Sequence, residues 1–229
     1  MASPPITPEG TTFSADCTRC PRLADFLQET RRKHPAYHAR PVASFGDPAA
    51  RLLVVGLAPG LHGANATGRP FTGDHAGLLL YATLHAFGFA SAPLSSSATD
   101  GLVLRDCRIT NAVRCVPPQN RPLPAEVRNC NAFLRGELAM LPADGLVLAL
   151  GAIAHGATLR ALGLKASSAA FGHHRCHLLP GGLRLFDSYH CSRYNTQTRR
   201  LTPAMFHEVF AAIRAELDGA DAPAHDRRV

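Results

Sequence analysis

The chain has 229 residues, of which 46% are hydrophobic and 18% are charged. This length and composition support a buried core without disulfides, and they exclude disordered and collagen-like chains. No apolar run approaches the roughly 20 residues that a bilayer-spanning helix needs. Lys and Arg total 24 against 17 Asp and Glu, and the net charge of +7 suits either a polyanionic partner or a merely basic enzyme.

The two ends of the chain lack a pattern that would fold. Residues 1–14 are rich in Pro, Thr and Ser, and residues 219–229 offer no apolar face. We therefore expect flexible tails there and one folded domain over residues 15–218. The first residues also lack the basic and apolar segments of a secretory signal, which favours a cytoplasmic protein with no membrane partner.

Between these ends, apolar residues alternate between two periods. Short apolar runs predict strands, and apolar residues repeating every three to four positions predict helices. Because strands alternate with helices, we expect a single α/β domain, a three-layer α/β/α sandwich around a mostly parallel sheet. The predicted helices span 20–33, 75–87, 125–141, 152–162 and 203–217, and the predicted strands span 51–56, 107–113, 146–150 and 183–186.

Two loops after predicted strands are the first candidates for a ligand site, because parallel sheets bind ligands at the carboxyl ends of their strands. The segment 56–74 is rich in glycine, and the segment 187–195 contains His190. The glycine-rich segment lacks the Gly-Lys-Ser/Thr of a phosphate loop and the Gly-x-Gly-x-x-Gly of dinucleotide-binding folds. We therefore expect no nucleotide cofactor.

Seven cysteines, an odd number without a secretory signal, argue against a disulfide framework. Cys17 and Cys20 form a Cys-x-x-Cys pair, and Cys115 and Cys130 supply two more thiolates. Four such ligands suit tetrahedral zinc or an iron–sulfur cluster, although chance burial is also possible from spacing alone. A thioredoxin-type pair is less suitable, because this pair precedes every predicted strand. The remaining cysteines, at positions 107, 176 and 191, are expected to be small buried hydrophobic residues.

Several motifs follow one another along the chain. They are the Cys17/Cys20 pair, Gly-Leu-Ala-Pro-Gly at 56–60, Gly-Arg-Pro-Phe-Thr-Gly-Asp at 68–74, Ile-Thr-Asn-Ala-Val-Arg-Cys at 109–115, Cys130, and Ser-Tyr-His-Cys-Ser at 188–192. In this order they closely resemble the family 5 iron–sulfur uracil-DNA glycosylases of bacteria and archaea. The resemblance extends from about residue 17 to about residue 210, and it implies an α/β/α sandwich and a monomeric DNA repair enzyme. Such an enzyme flips uracil out of DNA and hydrolyses its N-glycosidic bond, leaving an abasic site.

The resemblance also implies roles for individual residues. Asp74 would activate the attacking water and stabilise the positive sugar, and His190 would donate a proton or hydrogen bond to the departing base. Read without the family, Asp74 is equally suited to cap the helix predicted over 75–87, and His190 to a structural hydrogen bond. The resemblance further implies a structural [4Fe–4S] cluster whose ligands are Cys17, Cys20, Cys115 and Cys130.

A base pocket is implied as well. Phe71 would stack on the flipped base, and Asn111 would bind its edge with both halves of its amide. An ordinary core position for Phe71 and a loop turn for Asn120 remain the alternatives. The implied pocket residues are Gly56, Ala58, Gly60, Phe71, Asn111 and Asn120.

One position departs from related glycosylase families. They place a polar residue second in the Gly-x-x-Pro-Gly motif, where this chain has Leu57. Since leucine cannot activate water, the catalytic role moves to Asp74. A pocket with fewer polar groups rejects fewer bases, so we expect hypoxanthine and xanthine, or modified uracils, as substrates besides uracil.

DNA itself would be held by basic and polar side chains, each of which is otherwise an ordinary surface residue. The residues predicted to hold it are Arg69, Arg193, Asn195 and Arg199 or Arg200. The polar segment 192–202 is the predicted loop that enters the duplex. The alternative function is a non-catalytic iron–sulfur or zinc protein that binds nucleic acid or a nucleotide.

Overall fold

A six-stranded mixed sheet organises the computed structural model, which describes residues 12–221. The strands are β1 (Phe45–Gly46), β2 (Leu52–Gly56), β3 (Cys107–Asn111), β4 (Leu146–Leu150), β5 (Cys176–Leu178) and β6 (Arg184–Ser188). Their order across the sheet is β1-β3-β2-β4-β6-β5. The four inner strands are parallel, and the two edge strands pair antiparallel to their neighbours.

Seven α-helices surround this sheet in the described residues. They are α1 (Pro21–Lys33), α2 (Ala64–Thr67), α3 (His75–Ala86), α4 (Pro124–Leu138), α5 (Ala152–Ala161), α6 (Arg193–Gln197) and α7 (Pro203–Asp221). Two short 3₁₀ turns lie at Pro118–Asn120 and Ala166–Ser168. The predicted three-layer α/β/α sandwich is therefore confirmed.

The central strands are apolar on both faces because each face supports a separate core. Along β2, Leu52 and Val54 pack with α3 and α7 residues on one face, whereas Leu53 and Val55 pack with α4 and α5 residues on the other. All four side chains are inaccessible to solvent. A sheet covered on both faces presents only its edges, and the carboxyl ends of the parallel strands are open for a ligand.

A third, smaller core joins the beginning of the described chain to the sheet. Leu23 and Leu27 of α1 pack against Val113, Val116 and Phe133. The four cysteines of the predicted metal site belong to this cluster or border it. α1 is therefore attached through the segment that follows β3 and through α4.

The structure differs from the sequence prediction at the ends of the folded region. Phe13, expected in a flexible tail, packs edge-on against Phe133 with ring centroids 5.9 Å apart. α7 continues to Asp221, beyond the boundary predicted at residue 218. The predicted tails over 1–11 and 222–229 lie outside the described residues. Within residues 12–221, no helix combines the length and apolar character that crossing a bilayer requires.

Candidate active site

A cavity of about 470 Å³ opens at the carboxyl ends of β2, β4 and β6. Its wall comes from the glycine-rich segment after β2, the first turn of α5 and the segment after β6. This is the edge at which open parallel sheets bind ligands. Six residues predicted from sequence meet there: Ala58, Gly60, Asp74, Asn120, His190 and Arg193.

The two carboxylate oxygens of Asp74 have different surroundings. It is the N-cap of α3, and its Oδ1 accepts a hydrogen bond of 3.0 Å from the amide of Gly77. Its Oδ2 faces two glycines, since a Cβ on Gly63 would lie 2.6 Å from it and one on Gly60 3.3 Å from it. Burial raises the pKa of Asp74 above its ordinary value, although the backbone donors of the first helical turn oppose that shift. The capping role is confirmed, and the cavity-facing position is present as well.

His190 lies two residues beyond β6 and borders the cavity. Its ring stacks on Phe71, with centroids 5.8 Å apart and planes inclined by 26°. Burial lowers the pKa of His190 to about 4, so its imidazole is neutral at pH 7. A neutral imidazole carries one N–H donor and no charge. Asp74, His190 and Phe71 are thus brought together.

Gly56, the last residue of β2, lets the side chains of Phe71 and Asn111 both approach its backbone. A Cβ on Gly56 would lie 2.4 Å from Asn111 Oδ1 and 2.6 Å from Phe71 Cζ, so only glycine fits. Asn111 is 3% exposed, and its backbone pairs with Gly56 in the β2–β3 ladder. Neither Phe71 nor Asn111 lines the cavity directly. Phe71 borders it through its contact with His190.

The structure places Asn120 both at a turn and beside the cavity, which are the two positions considered for it from sequence. It ends the 3₁₀ turn Pro118–Asn120, and its backbone is left-handed with φ +55°. Its exposed side chain also lines the cavity.

Arg69 does not occupy the position predicted for a DNA contact. The residue is 6% exposed, and its Nη1 is 2.5 Å from Asp100 Oδ1. Its Nη2 donates to the carbonyl of Ala98 at 2.7 Å. The prediction is therefore wrong, because the guanidinium is occupied inside the protein.

The segment 192–202, predicted to be a loop, is partly helical. It contains α6, which is capped by Ser192 through the amide of Asn195. Asn195, predicted to contact DNA, instead donates from its side-chain amide to the carbonyl of His190 at 2.8 Å, so it holds the backbone of that histidine. Arg193 and Arg199 are exposed, as a DNA contact requires.

Three residues at this edge were not singled out by sequence reasoning. His75 borders the cavity and its Nε2 lies 3.0 Å from Thr196 Oγ1, joining α3 to α6. Ile153 on α5 lines the cavity while 47% exposed, and Tyr194 on α6 is 71% exposed. The exposure of a side chain depends on the tertiary structure, so no local sequence pattern predicted it.

The four predicted metal-ligating cysteines line one small cavity away from the first. Cys17 and Cys20 reach it from the start of α1, Cys115 from the segment after β3, and Cys130 from α4. The backbone N–H of Arg114 donates to Cys130 Sγ at 3.2 Å. Four sulfur donors in an apolar enclosure suit zinc or an iron–sulfur cluster.

Burial acts against the thiolate form of these cysteines. Burial raises the pKa of Cys130 to about 11, and it raises those of Cys20 and Cys115 as well. Mutual repulsion among the four sulfur atoms acts in the same direction for Cys115. A bound metal reverses this preference, because thiolates are its ligands.

The remaining cysteines divide into two kinds. Cys107 and Cys191 are fully buried, as predicted. Cys176 is exposed on the edge strand β5, so the prediction of burial is wrong there.

Comparisons with known proteins agree with this geometry. The model of the uracil DNA glycosylase superfamily matches residues 43–214. The chain is 49% identical to a type-5 uracil-DNA glycosylase of Thermus thermophilus, over 84% of this chain and 90% of that protein. It is 43% identical to the type-5 protein of Pyrobaculum aerophilum, over 88% and 89%. A type-4 uracil-DNA glycosylase of Thermotoga maritima is 35% identical over 49% of this chain and 51% of its own length.

The match extends across the whole cavity edge, from the strand before the glycine-rich segment to the helix after His190. With the family model covering most of the chain and relatives matching over nine-tenths of their length, the chain belongs to the uracil DNA glycosylase superfamily and is a relative of its type-5 members.

Proposed function

We propose that this protein is a DNA glycosylase that flips uracil out of DNA and hydrolyses its N-glycosidic bond. The observation that carries the proposal is the convergence of a carboxylate and a neutral imidazole, Asp74 and His190, on one cavity at the carboxyl edge of the sheet. The similarity to type-5 and type-4 uracil-DNA glycosylases supports the same reaction.

Asp74 matches the sugar side of the reaction. Cleavage of the glycosidic bond develops positive charge on the sugar, which a nearby carboxylate stabilises. Gly77 holds one carboxylate oxygen, and Gly60 and Gly63 leave space beside the other. That second oxygen accepts a proton from the attacking water.

His190 matches the departing base. Negative charge develops on the base oxygen as the bond breaks, and a neutral imidazole N–H donates a hydrogen bond to it. Because burial holds the imidazole uncharged, no proton must be removed from His190 before the base enters. Asn195 fixes the backbone carbonyl of His190 and thereby its position.

The base itself is bound by Phe71 and Asn111. Stacking on Phe71 replaces part of the stacking energy lost when the nucleotide leaves the duplex. The side-chain amide of Asn111, a residue that is 3% exposed, offers a donor and an acceptor to the edge of a base. Ala58, Gly60 and Asn120 line the cavity and would complete the pocket wall, and Gly56 would lie behind Phe71 and Asn111.

The proposal extends to other deaminated bases, namely hypoxanthine and xanthine. Leu57 lines the cavity at a position where a polar residue would help select one base. A pocket with few polar groups discriminates weakly between bases of similar shape.

We further propose that the four cysteines hold a [4Fe–4S] cluster with a structural role. Cys17, Cys20, Cys115 and Cys130 would be its ligands, and the cluster would tie α1 to the segment after β3 and to α4. Iron–sulfur is preferred over zinc because of the resemblance to the iron–sulfur glycosylases, and the apolar enclosure of four sulfur atoms is compatible with it.

The duplex would be contacted at the same edge of the sheet. Arg193 lines the cavity and is exposed, and Arg199 is exposed close by in sequence. Tyr194, 71% exposed on α6, is the aromatic side chain best placed to fill the space of the flipped nucleotide. We expect the enzyme to act as a monomer, as the resemblance implies.

The test is product formation on a duplex with one uracil. The purified full chain, without added metal or nucleotide, should leave an alkali-labile abasic site there and none in the matched thymine duplex. Duplexes with hypoxanthine or xanthine measure the breadth of the pocket. Tight binding without any abasic product would instead establish the alternative function, a nucleic-acid-binding protein that does not cut.

A further inference from the structure

Phe71 adopts a backbone conformation that a bulky residue does not hold by itself. Its φ is +55°, in the left-handed region, where the side chain is close to its own carbonyl. Its carbonyl oxygen also presses on the first turn of α3, since a Cβ on Gly77 would lie 1.8 Å from it. Such strain persists only where surrounding contacts impose it.

Arg69, two residues before Phe71, is held by hydrogen bonds to a loop at residues 95–100. Arg69 donates to Asp100 Oδ1, to Ser95 Oγ at 3.0 Å and to the carbonyl of Ala98 at 2.7 Å. Its guanidinium also lies 4.2 Å from the centre of the Phe45 ring. With side chains 7% and 12% exposed, Arg69 and Asp100 form a pair largely removed from water.

Asp100 is itself firmly held. Its Oδ2 accepts from the amide of Ser96 at 2.8 Å, and its Oδ1 from the amide of Leu102 at 3.0 Å. These donors and Arg69 hold the pKa of Asp100 well below its usual range. Asp100 therefore binds the backbone of the loop 95–102 and, in the same position, accepts the hydrogen bond from Arg69.

The two residues adjoining Phe71 are fixed as well. The buried hydroxyl of Tyr81, on α3, donates to the carbonyl of Pro70 at 2.8 Å. The hydroxyl of Thr72 lies 2.8 Å from Ser95 Oγ. Each residue around Phe71 thus has a side-chain partner outside the glycine-rich segment.

We propose that Arg69, Asp100 and Tyr81 are positioning residues that hold Phe71 in its left-handed conformation, so that its ring is ready to stack on the flipped base. This inference rests on the proposed function, in which Phe71 contacts the base. It replaces the DNA contact predicted for Arg69. The three residues act through Phe71 and touch neither base nor sugar.

The alternative is that the network only stabilises the fold. The two roles differ in their dependence on Phe71: positioning residues lose their influence on excision once the Phe71 ring is gone, whereas purely structural residues do not. Tyr81→Phe is the most conservative variant, because it removes one hydroxyl and keeps the buried ring. Arg69→Lys keeps the charge and loses the forked donor geometry.

The experiment is a double-mutant cycle on the full chain with its cofactor, in single-turnover excision from a uracil duplex. We expect Tyr81→Phe to slow excision about tenfold, as the loss of one buried hydrogen bond allows, with duplex affinity unchanged. In a Phe71→Ala background the same change should alter the rate less than twofold. Thr158→Val, which removes a buried hydroxyl of α5 bonded to Ala154, is the matched control with no expected effect on excision.

A second measurement does not depend on activity. With a fluorine label on the ring of Phe71, the native protein should give one sharp ¹⁹F resonance, and Tyr81→Phe or Arg69→Lys should add a second or broaden the first. Equal loss of rate with and without the Phe71 ring, or an unchanged resonance in both variants, overturns the inference. Absence of excision by the native protein overturns the proposed function instead, and the resonance then decides the positioning role alone.

Discussion

At the scale of single residues, burial determines the protonation state of His190. The pKa of His190 is about 4 in the folded protein, against an ordinary value of 6.5. The unfolded chain therefore binds a proton below pH 6.5 that the folded protein takes up only near pH 4. Through His190 alone, the free energy of unfolding is highest well above pH 6.5 and decreases as the pH falls, by on the order of 3 kcal/mol at pH 4.

The check is denaturant unfolding between pH 7.5 and pH 4.5. His190→Gln should unfold with a weaker pH dependence than the native protein, because it lacks the group that titrates. If the two proteins lose stability in parallel over this range, then His190 is not held neutral by burial.

Gly56 makes a second residue-scale prediction. A methyl group there would overlap Asn111 Oδ1 and the Phe71 ring, the two groups assigned to the base. Gly56→Ala should therefore lower the single-turnover excision rate about a hundredfold or more, equivalent to about 3 kcal/mol of transition-state stabilisation. The control is Gly156→Ala in α5, where a Cβ meets nothing within 4 Å; this variant should keep full activity. Full activity of Gly56→Ala would remove Phe71 and Asn111 from the base pocket.

At the scale of elements, the sequence was sufficient where periodicity was strong. The four inner strands and five longer helices were predicted within a few residues, because a buried parallel strand and an amphipathic helix have distinct patterns. The edge strands β1 and β5 were missed, since strands of two or three residues carry no period. The short helices α2 and α6 were missed for the same reason.

The site residues also differ in how well the sequence predicted them. Asp74, His190 and the cysteines stood in recognisable motifs, and the structure brings each group together. Arg69 and Asn195 were misassigned because a polar residue in a loop looks the same in sequence whether it faces solvent or a buried partner. Only the folded structure shows that Asp100 lies next to Arg69 and that the His190 carbonyl lies next to Asn195.

The cysteine site makes a prediction about elements. The four cysteines proposed as ligands connect α1 with the segment after β3 and with α4, so losing one should both release the proposed cluster and loosen α1. Cys20→Ser should purify with little iron and melt at a lower temperature, whereas Cys176→Ser, which changes an exposed cysteine outside the site, should retain both properties. Iron analysis, visible absorption and thermal melting provide the test. A colourless native protein that contains zinc would contradict the iron–sulfur assignment.

At the scale of the whole molecule, the net charge of +7 fits a DNA-binding protein. Each phosphate contact releases counterions, so affinity for undamaged duplex should fall steeply with salt. Arg193→Gln at the cavity should reduce the slope of log affinity against log salt by about one. Arg184→Gln makes the same charge change at the opposite end of the sheet, where Arg184 lies 3.3 Å from Glu216, and should leave the slope unchanged. Equal slopes for both variants would place the duplex elsewhere.

The sandwich explains why one acid can serve both the fold and the reaction. The parallel sheet brings the ends of β2 and β6 together, α3 starts at that edge, and Asp74 begins it. Replacing Asp74 by Ala would remove its capping hydrogen bond together with its charge. Asparagine caps helices as well as aspartate does, so Asp74→Asn isolates the charge.

The most direct measurement is therefore single-turnover excision of uracil from duplex DNA by Asp74→Asn. Its melting temperature, iron content and duplex affinity should match those of the native protein, while excision should slow at least a hundredfold because the carboxylate is gone. Excision at the native rate by a folded Asp74→Asn protein with native iron content would contradict the proposed role of Asp74 as the catalytic carboxylate of this cavity.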